Sequence, residues 1–356
     1  RFDAHPQAND WYETIKLNYG IDYCDWGGRS NHFNPIPDTW HKMTDILLFW
    51  AAKGIDGFRC DMAEMVPHEF WKYATEKVKT QYPNIVFIGE VYDPNQYRTY
   101  IAAGFDYLYD KVGMYDCLRD VMCEHRSAND ITRQWQATDD IGKHVLYFLE
   151  NHDEQRIASN FFCGNMQKGI PALIVAALFQ CNPIMIYAGQ EFGEKGMDGE
   201  GFSGIDGRST IFDYWSIDAI RKGFFERSKL SAEQVQLEKE YRKILTLCNS
   251  EKAISNGKTF DLMYANETND AFDNNKQFAF LRSSNNTTLL IVANFSKTEA
   301  HIRVNIPAHA FDYMEIKEGK KNMVDLLSGN HQSVVLQKDS SIEIVVPALN
   351  GRVYKF

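Results

Sequence analysis

Gly57-Phe58-Arg59-Cys60-Asp61 ends a short apolar run on an acid, and the chain uses the same device twice more. Ile85-Val86-Phe87-Ile88 is closed by Gly89-Glu90, and Val145-Leu146-Tyr147-Phe148-Leu149 is closed by Asn151-His152-Asp153 after one intervening glutamate. Runs of this length bounded by such residues read as buried strands. About 30 residues separate Asp61 from Glu90, the length of one strand–helix–strand unit. In a parallel α/β barrel, residues far apart in sequence meet at the C-terminal ends of the strands. The fold expected is therefore a (β/α)8 TIM barrel, with the three acids at its catalytic face.

Outward from these strands the chain keeps alternating. A helix is predicted over 39–53, stopped by Gly54, then a strand at 55–59 and a helix opening at Pro67, a residue suited to a first turn. Strands follow at 85–89, 105–109, 144–149 and 183–188, with helices after Pro94, over 115–125, over 170–180 and over 232–248. Such alternation implies right-handed crossovers and a parallel sheet. Residues 1–38 are loop-like and aromatic. From residue 253 the texture changes to short β-branched runs at 278–282, 288–294, 301–306 and 341–346, separated by Asn, Ser and Gly. These predict an antiparallel β-sandwich domain over 253–356, after a barrel domain over 39–252. Five barrel strands are legible, numbers four to eight of a set of eight. An open five-stranded parallel sheet would leave edges exposed, so the first three are expected upstream of Arg1.

The 356 residues are 44% hydrophobic and 24% charged, ordinary for a globular protein. A net charge of −10 and the lack of a Lys/Arg cluster argue against a nucleic-acid partner. No stretch has the length and apolarity of a membrane span. Aromatics reach 13%, a supply that suits stacking against flat, hydroxyl-rich ligands such as sugars. The seven cysteines form neither a zinc spacing nor an even disulfide framework. Cys60, Cys117, Cys123, Cys181 and Cys248 lie in apolar or helical runs and read as buried thiols, a weak lean towards a reducing compartment. The chain opens without Met, so localisation stays open.

Two carboxylates on adjacent barrel strands can cleave a glycosidic bond with retention: one attacks, the other serves as acid and then base. Arg59 precedes Asp61 by two residues and so shares its side of the strand, where a cation favours the ionised carboxylate. Glu90 follows an apolar run that would shelter it, as suits a proton donor. Asp153 would face developing positive charge, and His152 would donate to a sugar hydroxyl. Taken singly, Arg59 and Asp61 could be a structural ion pair, Glu90 a loop residue and Asp153 a helix cap. Their order and matching placement make that joint reading poor.

These stretches resemble the α-amylase superfamily, glycoside hydrolase family 13. Gly57 to Asp61 is similar to the family's fourth-strand motif, which bears the nucleophile and its arginine. Gly89-Glu90-Val91-Tyr92 is similar to the fifth-strand motif with the acid/base, and Phe148-Leu149-Glu150-Asn151-His152-Asp153 to the seventh. Pro35-Ile36-Pro37-Asp38 resembles the short motif ahead of the fourth strand, and 183–191 the eighth-strand segment. The resemblance implies catalytic Asp61, Glu90 and Asp153, substrate-binding Arg59, His152 and Tyr92, and an α-glucan or maltooligosaccharide substrate such as starch or maltodextrin. It implies residues 1–38 as the tail of a domain B excursion, where Trp11, Tyr12, Tyr23 and Trp26 are either sugar platforms or packing.

It implies hydrolysis through a covalent glycosyl-enzyme without a cofactor, with transglycosylation and a catalytically silent glycan-binding fragment as alternatives. The family's third-strand motif is absent from this chain, which removes a usual ligand of structural calcium. The missing part of the barrel is an expected partner. Glu64-Met65 stands where many α-amylases carry Lys-His, and Tyr92 replaces a frequent Trp.

Overall fold

The computed structural model describes residues 17–23, 27–196, 205–209, 217–285 and 287–356. Trp11, Tyr12, Trp26 and Cys24 lie outside these residues. The chain forms two compact units, 1–110 and 111–356. No helix among the described residues is long and apolar enough to cross a membrane.

The first unit is built as α1 (Asp38–Ala51), β1 (Gly57–Cys60), α2 (His68–Gln81), β2 (Val86–Gly89), α3 (Tyr97–Ala102) and β3 (Tyr107–Tyr109). Its strands are parallel, with Gly57 opposite Val86, Cys60 opposite Gly89 and Ile88 opposite Tyr107. Parallel pairing needs a crossover between strands, which α2 and α3 supply. Helix α2 turns Phe70, Trp71, Ala74, Thr75 and Val78 inward, one stripe of a 3.6-residue period. The Trp71 ring meets Phe105 edge-on at 5.0 Å, and its indole N–H donates to the Ala63 carbonyl at 3.0 Å, so α2 also anchors the loop after Asp61. Gly57 and Gly89 are required by close approach: a Cβ on Gly57 would stand 2.5 Å from the Val86 carbonyl oxygen, and one on Gly89 2.8 Å from the Phe105 ring. The helix expected after Pro94 begins as a 3-10 turn capped by Asp93, which accepts the Asn95 N–H at 3.0 Å, before continuing as α3.

In the second unit, β4 (Val145–Phe148) and β5 (Ile184–Met185) are parallel, with Tyr147 opposite Ile184. Strand β5 is shorter than the apolar run suggests, and a few residues beyond it Gly189 adopts φ 92° and the chain turns into a 3-10 helix at Gln190. Helices α4 (Asp116–Met122), α5 (Asp130–Ala137), α6 (Gly169–Leu178), α7 (Asp218–Phe225) and α8 (Ala232–Ser250) belong to this unit. Ser231 and Gln234 cap α8 reciprocally. Eight antiparallel strands follow among the described residues: β6 (Lys258–Asp261), β7 (Gln277–Ser284), β8 (Thr287–Asn294), β9 (Ala300–Ile306), β10 (Gly319–Asp325), β11 (His331–Leu336), β12 (Ser340–Val346) and β13 (Asn350–Lys355). One sheet has the order β11-β10-β13-β8-β7-β6 and the other pairs β9 with β12, which makes the expected two-layer β domain.

Strands β9 and β12 alternate buried and exposed residues, whereas β7 and β8 are buried almost throughout. The difference has a cause. All ten residues of α6 are buried, and Phe179 just beyond it packs on Phe278 and Phe280 at 5.6 and 5.1 Å. The inner strands are therefore covered on both faces, like strands of a parallel core.

Arg282, on β7, is fully buried at this seam. Its guanidinium donates to the carbonyls of Leu178 at 3.0 Å and Ile254 at 2.7 Å and to Cys181 Sγ at 3.0 Å. Burial depresses its pKa, so it is a costly cation held by carbonyls that helix ends leave unsatisfied. Arg282→Met is expected to lower stability by about 3 kcal/mol or more, since it strands several buried acceptors. Arg282→Lys should recover only part, because one ammonium cannot span them. Urea unfolding midpoints of the three proteins check this.

Candidate active site

Asp61 is the first residue beyond β1 and Glu90 the first beyond β2. The ladder runs one step past both strands, with the Glu90 N–H donating to the Cys60 carbonyl at 3.1 Å, so the two acids leave the sheet at the same end. Arg59 lies between them. Its Nη1 donates to Asp61 Oδ1 in a close ion pair, and its Nη2 lies 3.1 Å from Glu90 Oε2. The Tyr109 ring sits 5.6 Å from the guanidinium. Burial opposes the Arg59 charge, but Asp61, Glu90 and Tyr109 outweigh it and hold the pKa above the ordinary guanidinium value. The two acids differ in setting: the Asp61 side chain is 71% exposed, that of Glu90 9%.

The backbone after Asp61 is strained to serve Glu90. Met62 has φ 42° and ψ 45°, a left-handed conformation that costs a non-glycine residue about 1–2 kcal/mol. It turns the Met62 N–H onto Glu90 Oε2 at 2.7 Å. Glu64 then reaches the other loop: its Oε2 accepts the N–H groups of Tyr92 at 3.0 Å and Asp93 at 3.1 Å. The Tyr100 hydroxyl donates to the carbonyls of Glu64 and Val66 at 3.1 and 3.0 Å. Loops 61–66 and 90–96 are thus latched by three backbone N–H to carboxylate bonds. Tyr92 is half-buried, with its backbone fixed by this latch. The sequence marks no role for Met62. The one signal for Glu64 is an acid three residues past Asp61, where a cation is common in the family it resembles.

In the second unit, Asn151, His152 and Asp153 leave β4. Asn151 Oδ1 accepts the N–H groups of Asp153 at 2.9 Å and Glu154 at 2.8 Å, which turns the chain sharply. His152 Nε2 lies 3.1 Å from Asp153 Oδ2, and both side chains are about one-third exposed. Beneath them Glu150 is buried, where burial raises its pKa despite Arg156. Arg156 Nη1 donates to it at 2.8 Å, and the Ile157 N–H donates at 2.8 Å. Arg156 is itself fully buried, donates to Ser209 Oγ at 2.7 Å and the Ala188 carbonyl at 3.0 Å, and stacks 4.0 Å over Tyr187. This pair ties the exit of β4 to the exit of β5. Its sequence signal is a lone glutamate, Glu150, ending an apolar run. Among the described residues no group of three or more His, Cys, Asp or Glu side chains is placed to hold a metal.

Parallel strand–helix units with acids at their exits, ahead of a two-layer antiparallel β domain, define the class of TIM-barrel proteins that carry a C-terminal all-β domain. Residues 35–302 match the α-amylase catalytic domain and residues 269–356 the α-amylase C-terminal all-β domain. The chain belongs to the α-amylase superfamily, glycoside hydrolase family 13. It is 32% identical over 92 residues, 25% of its length and 16% of the relative's, to the α-1,4-glucan:maltose-1-phosphate maltosyltransferase of Cereibacter sphaeroides. It is 23% identical to α-amylase 3 of Dictyoglomus thermophilum, across 93% of the chain and 67% of that protein. The solved α-amylase of Geobacillus thermoleovorans, complexed with acarbose, shares the fold with a TM-score of 0.67 at 18% identity, covering 96% of this chain and 70% of that one. The chain spans under a third of the length of several curated relatives that it matches.

Glu64→Ala should release the latch. The Tyr92 and Asp93 amides are expected to exchange with deuterium at least about tenfold faster than in the parent, because each loses a charge-assisted bond worth about 1.5–3 kcal/mol. Hydrogen-exchange mass spectrometry of the segment 90–96 checks this.

Proposed function

We propose that the protein is a retaining glycoside hydrolase acting on α-glucans. Asp61 is the nucleophile: its exposed carboxylate, oriented by Arg59, attacks the anomeric carbon and forms a covalent glycosyl-enzyme. Glu90, sheltered and fixed by the Met62 N–H, protonates the departing oxygen. It then takes a proton from the water that attacks the intermediate. Asp153 supplies negative charge to the oxocarbenium-like transition state, while Arg59, His152 and Tyr92 hold the substrate. In this reading the barrel occupies 39–252 and the β-sandwich domain 253–356.

The observation that carries the reading is one guanidinium shared by an open and a sheltered carboxylate at adjacent strand exits. Such sharing favours the short carboxyl separation of retaining enzymes over the wider one that leaves room for a water. Family membership and the acarbose complex of the Geobacillus enzyme support a glucan substrate. The likeness to a maltosyltransferase supports a second reading, in which a sugar hydroxyl intercepts the same intermediate.

In the whole protein, Asp61→Asn and Glu90→Gln are each expected to cut kcat on maltotriose by at least about 10³-fold with an unchanged circular dichroism spectrum. Parental rates in either variant would refute the assignment. Proton NMR of the first product should show the α anomer, whereas a β product would exclude retention. Products longer than maltotriose would select transfer over hydrolysis.

A further inference from the structure

Two thiols outside the candidate site lie against each other. Cys123, the residue that caps the C-terminus of α4, has its Sγ 3.7 Å from that of Cys163, in the chain that leads from Asp153 to α6. Both are partly exposed. A disulfide sulfur–sulfur bond is about 2.05 Å, so each sulfur needs to move by roughly 0.8 Å, the scale of a small side-chain rotation. Cations surround one member of the pair. Arg119, one turn earlier on α4, packs its guanidinium 4.1 Å from the Phe162 ring and donates to the Tyr115 hydroxyl at 3.2 Å and to Gln155. It, His125 and Lys168 favour a Cys123 thiolate, and the Cys163 thiol favours it most, by donating to it. The Cys123 pKa falls to about 6 and that of Cys163 rises.

The other described thiols differ. Cys60 and Cys117 are buried, and burial lifts their pKa values to about 12 and about 11; that of Cys248 is also lifted to about 11. Cys181 takes the Arg282 guanidinium at the seam of the β domain. Only the 123/163 pair among the described residues joins a stabilised thiolate to a second thiol within bonding reach.

We propose that Cys123 and Cys163 are a redox-active dithiol that closes into an intrachain disulfide when it meets a low-molecular-weight disulfide of the glutathione type. The Cys123 thiolate attacks one sulfur of the oxidant, forms a mixed disulfide and expels the first thiolate. Cys163 loses its proton and attacks the Cys123 sulfur. The Cys123–Cys163 bond forms as the mixed bond breaks, and the second thiolate leaves. The protein loses two electrons and two protons, and one oxidant molecule becomes two thiols. The new bond spans about 40 residues and fastens the end of α4 to the segment that follows His152 and Asp153, so it restricts the unfolded chain.

The test is incubation of the folded protein with oxidised glutathione, then alkylation of remaining thiols and peptide mapping. The expected product links the Cys123 and Cys163 peptides with loss of two hydrogens, leaves Cys60, Cys117, Cys181 and Cys248 alkylated, and has a raised thermal midpoint. In Cys163→Ser the mixed disulfide on Cys123 should persist, while Cys123→Ser should take up little glutathione. Iodoacetamide labelling of Cys123 in Cys163→Ser should outpace that of the buried thiols at pH 7. A link to Cys24 instead, bonding only in denaturant, or both thiols alkylated in full after oxidation would overturn the proposal. This outcome is independent of activity on glucans.

Discussion

The arrangement depends on one guanidinium. Carboxyl groups that leave adjacent strands at the same end repel each other whenever both are charged, and a cation placed between them offsets that repulsion. Arg59 provides it to both, and its position is dictated by strand geometry. It stands two residues before Asp61 and therefore on the same side of β1, while parallel register carries Glu90 to the same end of β2. The close approach of those strands needs Gly57, where a side chain would collide with the Val86 carbonyl, and Gly89 makes room for the Phe105 ring packed beside β2. The glycines of the two motifs are thus structural conditions for the electrostatics that follow them.

Each strand exit is fixed by different means. The loops after β1 and β2 are held by backbone N–H groups aimed at carboxylates, and the strained Met62 is part of the cost. The exit of β4 rests instead on the buried Glu150–Arg156 pair, whose remaining bonding capacity is met by Ser209, Ala188 and Ile157. A buried ion pair is a weak source of net stability, but breaking one partner is severe. His152 and Asp153 therefore leave a strand exit whose buried charges are bonded to each other and to the neighbouring backbone.

What the sequence made legible follows from the range of the signal. Strands β1, β2 and β4 and their terminal acids are readable because alternation and a closing motif are local. So are β7, β8, β9 and β12, where β-branched runs dominate. Strands β10 and β13 escape such reading: Gly319–Asp325 and Asn350–Lys355 are polar and Gly-containing, and they become strands through pairing, β10 with the adjacent β11 and β13 with β8, which is distant in sequence. Arg156 and Arg282 escape for the same reason. A buried arginine looks like a surface one until its through-space acceptors are known, and the left-handed Met62 has no marker of the kind glycine gives.

In the proposed mechanism, Glu64 and Met65 bear on how an incoming group is received beside Asp61. In many relatives these positions offer two nitrogen donors. Here the Glu64 carboxylate already accepts two backbone N–H groups, and Met65 is 57% exposed with only a weakly accepting thioether. Neither can donate a side-chain hydrogen bond. An enzyme separates two acceptors by the contacts that strengthen in their transition states, and a thioether offers contact area where a histidine would offer a directed bond. At these two positions, discrimination between water and a sugar hydroxyl would therefore rest on packing against Met65 and on a loop that Glu64 holds still.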